Sequence, residues 1–257
     1  METCTLFIFE GLKTERNIAN NLAQFFIADD STLIRASYGQ NIYKLYADLA
    51  ADDGLDLLGL LCEQLRKRSR KQDDDQAILE LEGADAITDI YLFFDYDPHC
   101  TNADDSKLTE MLTLFCDSQD QGLLCISYPM VEAVRHHPGE GAIALTCSTK
   151  ALRDYKGVLK QTDDNGVHLH TDSRFYNWGA YALEHWRELS HTHLARGNDL
   201  VNDTPVLPDD QLEPSAIFQA QQHKHLPEQI RVLSAFPLML HNYYGNRLYE
   251  KLALAAD

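Results

Sequence analysis

The chain has 257 residues, of which 44% are hydrophobic and 24% are charged. With 22 Lys and Arg against 40 Asp and Glu, its formal net charge is −18. This charge excludes a protein that coats DNA through a broad basic surface, because such binding depends on many cationic side chains that neutralise phosphates. The hydrophobic content suffices for a full core, and we expect one large domain or one domain with a substantial extension.

The sequence also predicts where the protein resides. Its first ten residues contain Glu2 and only a short apolar run, unlike a secretory signal peptide. No stretch approaches the apolar length of a membrane span. The six cysteines contain no CxxC pair, which is typical of reduced cysteines that pack in a core. We therefore expect a cytoplasmic protein that makes no membrane contact.

Short apolar runs alternate with helical patterns in the first half of the chain. Strands are predicted at Leu6–Phe9, Thr32–Ser37, Ile90–Phe94 and Leu123–Ser127. Helices are predicted between them at Thr14–Ala28, Asn41–Ala50 and Ser106–Cys116. This alternation favours an α/β fold, in which parallel strands are joined by helical crossovers and helices flank the sheet. Ligands of such folds bind at the carboxyl ends of the strands.

The remaining segments differ in character from this alternating core. Residues 52–86 form an insertion with a predicted helix at Leu55–Leu65, a basic block at 66–71 and an acidic run at 73–75. Beyond residue 150 the patterns are mainly helical, at Tyr176–Leu194 and Ser215–Ala256, with an acidic connector at Asn198–Pro214. We therefore predict an α/β catalytic domain over residues 1–150 and a mainly helical region over 151–257 that packs on it.

Carboxylates follow two of the predicted strands. Glu10 follows the first strand, and Gly11 behind it permits a sharp turn. Asp95 and Asp97 follow the third strand and project to one side of an extended chain, while Tyr96 points away. Close carboxylates resist joint ionisation unless a cation neutralises them, and Mg²⁺ or Mn²⁺ accepts such oxygen ligands together with substrate phosphate. We predict a metal site at Glu10, Asp95 and Asp97; the alternative is that the aspartates only cap the next helix or terminate a strand.

These residues resemble the Toprim domain, which topoisomerases, bacterial primases and OLD-family nucleases share. The resemblance consists of the motif EG-x-KTE at residues 10–15, a strand followed by Gly39, and the pair Asp95-x-Asp97. It is similar in particular to the RloB-like and abortive-infection Toprim proteins of prokaryotic defence loci. The resemblance covers roughly residues 4–135 and implies a Toprim-type, Rossmann-like parallel sheet.

The resemblance also implies roles for the acidic residues. In Toprim proteins the glutamate acts as a general acid or base and the DxD pair binds Mg²⁺, which would assign these roles to Glu10 and to Asp95 and Asp97. No ATPase module, tyrosine nucleophile or primase zinc module is recognisable in the sequence, so we expect a Mg²⁺-dependent endonuclease of DNA or RNA, a toxic effector of antiphage defence. One alternative is a Toprim-shaped regulatory subunit that works with a separately encoded ATPase or sensor protein. Another is an enzyme of small phosphate esters.

Several residues near these motifs have further predicted roles. Glu132, after the fourth strand, can add an outer metal ligand or orient a water; equally it can be a helix N-terminal acid behind Pro129. Lys13 can hold a phosphate, although an exposed lysine ordinarily does not. His99 can approach the metal or substrate. A histidine at 136 or 137 can assist proton transfer, although the commoner location is the surface.

The basic block supplies the predicted contact with a nucleic-acid backbone. The residues of this contact are Arg66, Lys67, Arg68, Arg70 and Lys71. The alternative is a solvated helix end whose charges are balanced by the acidic run at 73–75.

The second half of the chain carries weaker signals. The pairs at 168–170 and 191–193 are HxH patterns without a second ligand pair at zinc spacing, so no zinc site is predicted. Helical spacing favours core packing over base stacking for four aromatic residues, Phe175, Trp178, Tyr181 and Trp186. Pro237 is predicted to break or kink a helix. The apolar C-terminal stretch can pack on the α/β domain or form a homodimer or partner interface.

Overall fold

The computed structural model describes residues 4–27, 31–51, 56–68, 75–81, 87–139 and 143–254. The chain divides into two compact units. The first comprises Met1–Phe94 and Asn102–Leu124, and the second comprises Asp95–Thr101 and Cys125–Asp257. The domain boundary predicted at residue 150 stays a prediction.

Among the described residues, five strands form a mostly parallel sheet in the order β2-β1-β3-β5-β4. These strands are β1 (Cys4–Phe9), β2 (Thr32–Ser37), β3 (Ile87–Asp95), β4 (Cys116–Asp117) and β5 (Gly122–Ser127). Strand β1 pairs in parallel with both β2 and β3, whereas β4 pairs antiparallel with β5. All six residues of β1 are buried, which explains why its sequence is a continuous apolar run rather than an alternating pattern.

Helices connect these strands, so the α/β class predicted from the sequence is confirmed. They are α1 (Thr14–Leu22), α2 (Ile42–Ala51), α3 (Leu57–Lys67), α4 (Asp75–Leu79) and α5 (Asp105–Leu114). The prediction that the first helix continues to Ala28 is wrong, since α1 ends at Leu22 and Ile27 adopts a positive φ of 72°. Phe26 lies in the segment after α1 and is buried there. Burial of its apolar side chain therefore does not require a longer helix.

The strand order reverses direction at β1. The chain passes from β1 to β2 on one side and then returns past β1 to β3 on the other. In open α/β sheets such a reversal leaves a crevice outside the carboxyl ends of the strands, where ligands bind. The ends of β1 and β3 are therefore the positions at which a ligand is most expected.

The described part of the second unit is mainly helical. Its α-helices are α6 (Tyr155–Val158), α7 (Leu183–Asn202), α8 (Pro214–Lys224), α9 (Ala235–Tyr244) and α10 (Arg247–Lys251). The short strands β6 (Thr146–Ser148) and β7 (Gln229–Arg231) pair antiparallel. Four 3₁₀ helices complete this part of the unit, at Val131–Arg135, Thr149–Asp154, Ser173–Phe175 and Trp178–Ala180.

The helix bounds predicted for this region need correction. Helix α7 begins at Leu183 and continues to Asn202, into the segment predicted to be a connector, and ends where Asp203 adopts a φ of 54°. The predicted helix at 215–256 is interrupted by β7 and divided into α8, α9 and α10. Pro237 neither breaks nor kinks a helix, because it lies in the first turn of α9, where a backbone N–H has no intrahelical partner.

The aromatic residues of the second unit are mostly core residues, as predicted. Phe175, Tyr181 and Trp186 are at most 2% exposed. Trp178 is the exception, because it lies in a 3₁₀ helix without buried residues. Within the described ranges, no helix combines the length and the apolarity needed to cross a membrane.

Candidate functional site

Glu10 lies immediately after β1 and is held by the backbones of both neighbouring strands. Its N–H donates to the Phe93 carbonyl at 2.9 Å, and its own carbonyl accepts from the Gly39 N–H at 3.0 Å. Gly39 adopts a φ of 82°, a conformation that favours glycine. The Glu10 backbone thus occupies a defined position at the carboxyl end of β1, and the turn at Gly39 stays a prediction.

The motif after Glu10 has a structural reason that the sequence did not reveal. Glu15 is buried in α1, and its Oε1 atom accepts a hydrogen bond from the Gly11 N–H at 3.2 Å. A Cβ atom on Gly11 would lie 2.5 Å from Glu15 Oε2. A Cβ atom at position 11 would therefore force the end of the Glu15 side chain to shift, and Gly11 does not adopt a positive φ. Lys13 is exposed just before α1, and its phosphate contact stays a prediction.

Asp95 is the last residue of β3, and its side chain accepts a hydrogen bond from a later segment of the second unit. Its Oδ1 atom accepts a hydrogen bond at 2.8 Å from the N–H of Val131, the first residue of the 3₁₀ helix Val131–Arg135. The next residue, Tyr96, is buried, with its ring 5.7 Å from that of Tyr128 and 5.9 Å from that of Phe218. Asp95 thus positions the helix that carries Glu132.

Asp97 organises the turn that follows β3. Its Oδ1 atom accepts from the His99 N–H at 2.9 Å, and its Oδ2 atom accepts from Cys100 Sγ at 3.2 Å. The His99 ring lies against the next segment, with Nε2 2.8 Å from the Thr149 carbonyl. Both aspartates therefore bind backbone N–H groups, but neither caps the next helix, α5, whose N-terminal N–H groups donate to Asp104 instead.

In the ranges that the structure describes, no group of three or more His, Cys, Asp or Glu side chains is arranged to hold a metal ion. The metal site at Glu10, Asp95 and Asp97 therefore stays a prediction.

Glu132 is a buried carboxylate with an incomplete set of hydrogen bonds. The residue is 3% exposed, and its Oε1 atom lies 3.0 Å from Nζ of Lys156, whose side chain is 59% exposed. Its Oε2 atom is buried and has no hydrogen-bond partner in the described structure. A buried carboxylate oxygen without a donor is costly unless a cation or a donor reaches it. Glu132 is therefore suited to accept a ligand rather than only to favour a helix dipole.

The two histidines after Glu132 are buried, not on the surface. His136 Nδ1 lies 2.8 Å from the Tyr155 hydroxyl, and burial, reinforced by nearby His170 and Arg196, lowers the pKa of His136 to about 3. His137 Nε2 lies 2.9 Å from Glu188 Oε1, and burial also lowers the pKa of His137. At neutral pH His136 is uncharged and cannot donate a proton as an imidazolium ion.

The predicted basic block is partly used by the fold itself. Arg68 is only 17% exposed in its side chain; it donates to the Ser37 carbonyl and lies 3.5 Å from the fully buried Asp75. Lys67 forms an ion pair with Glu63 at 3.0 Å, and Arg66 is exposed. Arg70 and Lys71 lie outside the described residues. Arg68 therefore stabilises the first unit, and nucleic-acid binding by the block stays a prediction.

Comparisons with protein-family models, with curated proteins and with solved structures find no match to this chain.

Proposed function

We propose that the protein is a Mg²⁺-dependent endonuclease of the Toprim type, which cleaves phosphodiester bonds in nucleic acid as a toxic effector of antiphage defence. The observation that carries the proposal is the buried Glu132 Oε2 atom, an acceptor without a donor on the helix that Asp95 holds. A buried carboxylate oxygen that lacks a hydrogen-bond donor is suited to bind a ligand that enters the site only when the enzyme acts.

The sheet topology supports the same proposal. Strands β1 and β3 are neighbours at the reversal of the strand order, and their carboxyl ends carry Glu10 and Asp95. This is the region of an open α/β sheet where ligands are expected. The available donors are carboxylate oxygens, which suit Mg²⁺ and Mn²⁺ better than a softer metal.

The acidic residues have separate tasks in the proposed reaction. When bound, Mg²⁺ supplies polarisation of the phosphoryl group and stabilisation of the leaving oxygen. Asp95 and Asp97 are its proposed carboxylate ligands, and Glu132 orients a ligand beside them. Glu10 is the proposed general acid or base, the role that the resemblance to Toprim proteins implies.

A cleavage assay tests this proposal. The purified protein is incubated with Mg²⁺, Mn²⁺ or EDTA and with plasmid, single-stranded DNA, total RNA or tRNA. We expect metal-dependent cleavage of at least one class, and a decrease of about 100-fold or more for Glu10→Gln, Asp95→Asn and Asp97→Asn. Glu132→Gln should decrease cleavage by about tenfold to 100-fold, as expected for a group that orients a ligand.

The matched control is Glu184→Gln, which changes an exposed glutamate at the start of α7 and should leave cleavage unchanged. Cleavage that persists in EDTA, or that survives both Asp95→Asn and Glu10→Gln, would contradict the proposal. If no substrate class is cleaved, the regulatory subunit becomes the better proposal. Two strongly exposed apolar side chains, Val167 at 63% and Leu169 at 52%, favour that second candidate, and co-purification with an ATPase would test it.

A further inference from the structure

A basic face lies on the segment from Thr149 to Lys160, where the 3₁₀ helix Thr149–Asp154 runs directly into α6. The buried side chains of this segment recur at helical spacing, at Leu152, Tyr155 and Leu159. Four exposed cations recur at similar spacing between them, at Lys150, Arg153, Lys156 and Lys160. We call these four residues the basic stripe. Their spread over eleven positions made them less conspicuous in the sequence than the block at 66–71.

Most cations of the basic stripe form no ion pair with the acids that the structure describes. Lys150, Arg153 and Lys160 form no ion pair with any described residue, and Lys156 is paired with Glu132. The one acid within the segment, Asp154, accepts a hydrogen bond from the Gly157 N–H at 3.2 Å. In a chain of net charge −18, such a local excess of cations indicates an anionic ligand from outside the chain.

The basic stripe is connected to the proposed acidic residues within the second unit. It begins beside Thr149, whose carbonyl lies 2.8 Å from the His99 ring, two residues after Asp97. Further along, Lys156 contacts the Glu132 carboxylate at 3.0 Å. A phosphodiester chain bound to the stripe would therefore be led to the carboxylates that are proposed to act in cleavage.

A second feature of the same unit is suited to bases rather than phosphates. The guanidinium carbon of Arg135 lies 4.8 Å from the centre of the Trp178 ring and 5.4 Å from that of the Tyr176 ring. Tyr176 is 40% exposed, and its ring stacks on that of His168 at 4.7 Å with an interplanar angle of 22°. The ring of Trp178 is half-buried. Aromatic rings that stay accessible, as that of Tyr176 does, stack on unpaired bases, and a cation–π contact from an arginine adds to such binding.

The aromatic platform, defined as Tyr176 and Trp178, lies near the basic stripe along a short chain of contacts. Arg135 packs against both rings of the platform. The Nδ1 atom of the next residue, His136, lies 2.8 Å from the Tyr155 hydroxyl, and Tyr155 belongs to the segment that carries the stripe. A ligand that offers both phosphates and accessible base faces is single-stranded nucleic acid. A duplex keeps its bases stacked and would engage the stripe alone.

We propose that the basic stripe binds the phosphates of single-stranded DNA or RNA and that the aromatic platform stacks one of its bases. This inference deepens the proposed function by naming the substrate class, and its link to cleavage rests on that function. Binding itself is measurable without cleavage, so the two proposals can fail independently.

The test measures binding in EDTA by fluorescence anisotropy. Labelled single-stranded DNA, single-stranded RNA and duplex DNA of one sequence are titrated with the full chain at several salt concentrations. We expect the protein to bind a single strand more tightly than the duplex. The comparison of single-stranded DNA with single-stranded RNA shows whether deoxyribose or ribose is preferred. Each phosphate contact contributes about −0.7 to the slope of log K against log salt, so Lys150→Gln with Arg153→Gln should reduce the slope by about 1.4.

The platform has a different expected signature. Trp178→Ala should weaken single-strand binding by about tenfold to 100-fold and leave the salt slope unchanged, because stacking releases no counterions. The matched control is Arg247→Gln, which removes an exposed cation from α10 and should leave binding unchanged. Circular dichroism confirms that each variant is folded.

Three results would overturn the inference. They are equal affinity for duplex and single strand, unchanged binding by the stripe and platform variants, and no binding of any oligonucleotide. If the stripe and platform variants bind nucleic acid like the wild type and still cleave it, this inference is overturned and the proposed function stands. Binding as expected without any cleavage would support the inference and contradict the nuclease.

Discussion

Lowering the pH from about 7.5 to about 5.5 should destabilise the protein through His136. Burial lowers the pKa of His136 from its ordinary 6.5 to about 3, so the side chain stays neutral in the fold across this range. In the unfolded chain the same histidine gains a proton as the pH falls below 6.5. The unfolded state thus binds more protons, and the free energy of unfolding decreases as the pH falls from 6.5 toward 3.

The size of the effect follows from these two pKa values. At about pH 5.5, one unit below the ordinary pKa, protonation of this residue stabilises the unfolded state by about 1 kcal/mol relative to the folded state. Burial also lowers the pKa of His193 well below its ordinary value, so this residue contributes in the same direction. The resulting loss of stability is a large fraction of the stability of a typical protein.

Urea unfolding at both pH values, followed by circular dichroism, measures this loss. His136→Gln keeps a side chain that can bond to the Tyr155 hydroxyl but cannot titrate, so its loss of stability should be about 1 kcal/mol smaller than that of the wild type. The control is His223→Gln, which changes an exposed histidine of α8 and should leave the loss as it is in the wild type. A His136→Gln protein that loses as much stability as the wild type would refute the reasoning.

Three substitutions probe the fold around the candidate site, each measured by urea unfolding. Gly11→Ala should cost about 1–3 kcal/mol, because the added Cβ atom would lie 2.5 Å from the Glu15 carboxylate. Arg68→Met should cost about 3 kcal/mol, because the buried carboxylate of Asp75 loses the Arg68 cation. Trp186→Ala should cost about 3–5 kcal/mol through the cavity that it leaves in the second unit.

Each of these predictions has its own contrary result. A Gly11→Ala protein with wild-type stability would show that the Glu15 carboxylate moves without cost. For the ion pair, Asp75→Asn should recover part of the stability lost in Arg68→Met, and a double variant no more stable than Arg68→Met would contradict the buried-charge argument. A Trp186→Ala protein that loses less than about 1 kcal/mol would show that the core refills the cavity.

The sequence by itself determined the secondary structure of the α/β core and the positions of its acidic residues. Strand β2 agrees with the predicted Thr32–Ser37, and Glu10 and Asp95 lie at strand ends as their apolar flanks indicate. Hydrophobic period and length are properties of contiguous residues, so they can be read without knowing the fold. The less regular C-terminal half lacked such patterns, and its helix bounds were predicted less well.

Only the tertiary structure decided what the polar side chains do. Arg68 belongs to a basic block in the sequence but bonds to Ser37, 31 residues earlier, and approaches a buried carboxylate. His136 is buried beside Tyr155, and Trp178 packs over Arg135 instead of entering the core. The charge, burial and partners of such groups depend on residues distant in the chain, because desolvation and hydrogen bonding act through space. The sequence therefore determined where the strands and helices form, and the fold decided which charges serve structure and which remain available to a ligand.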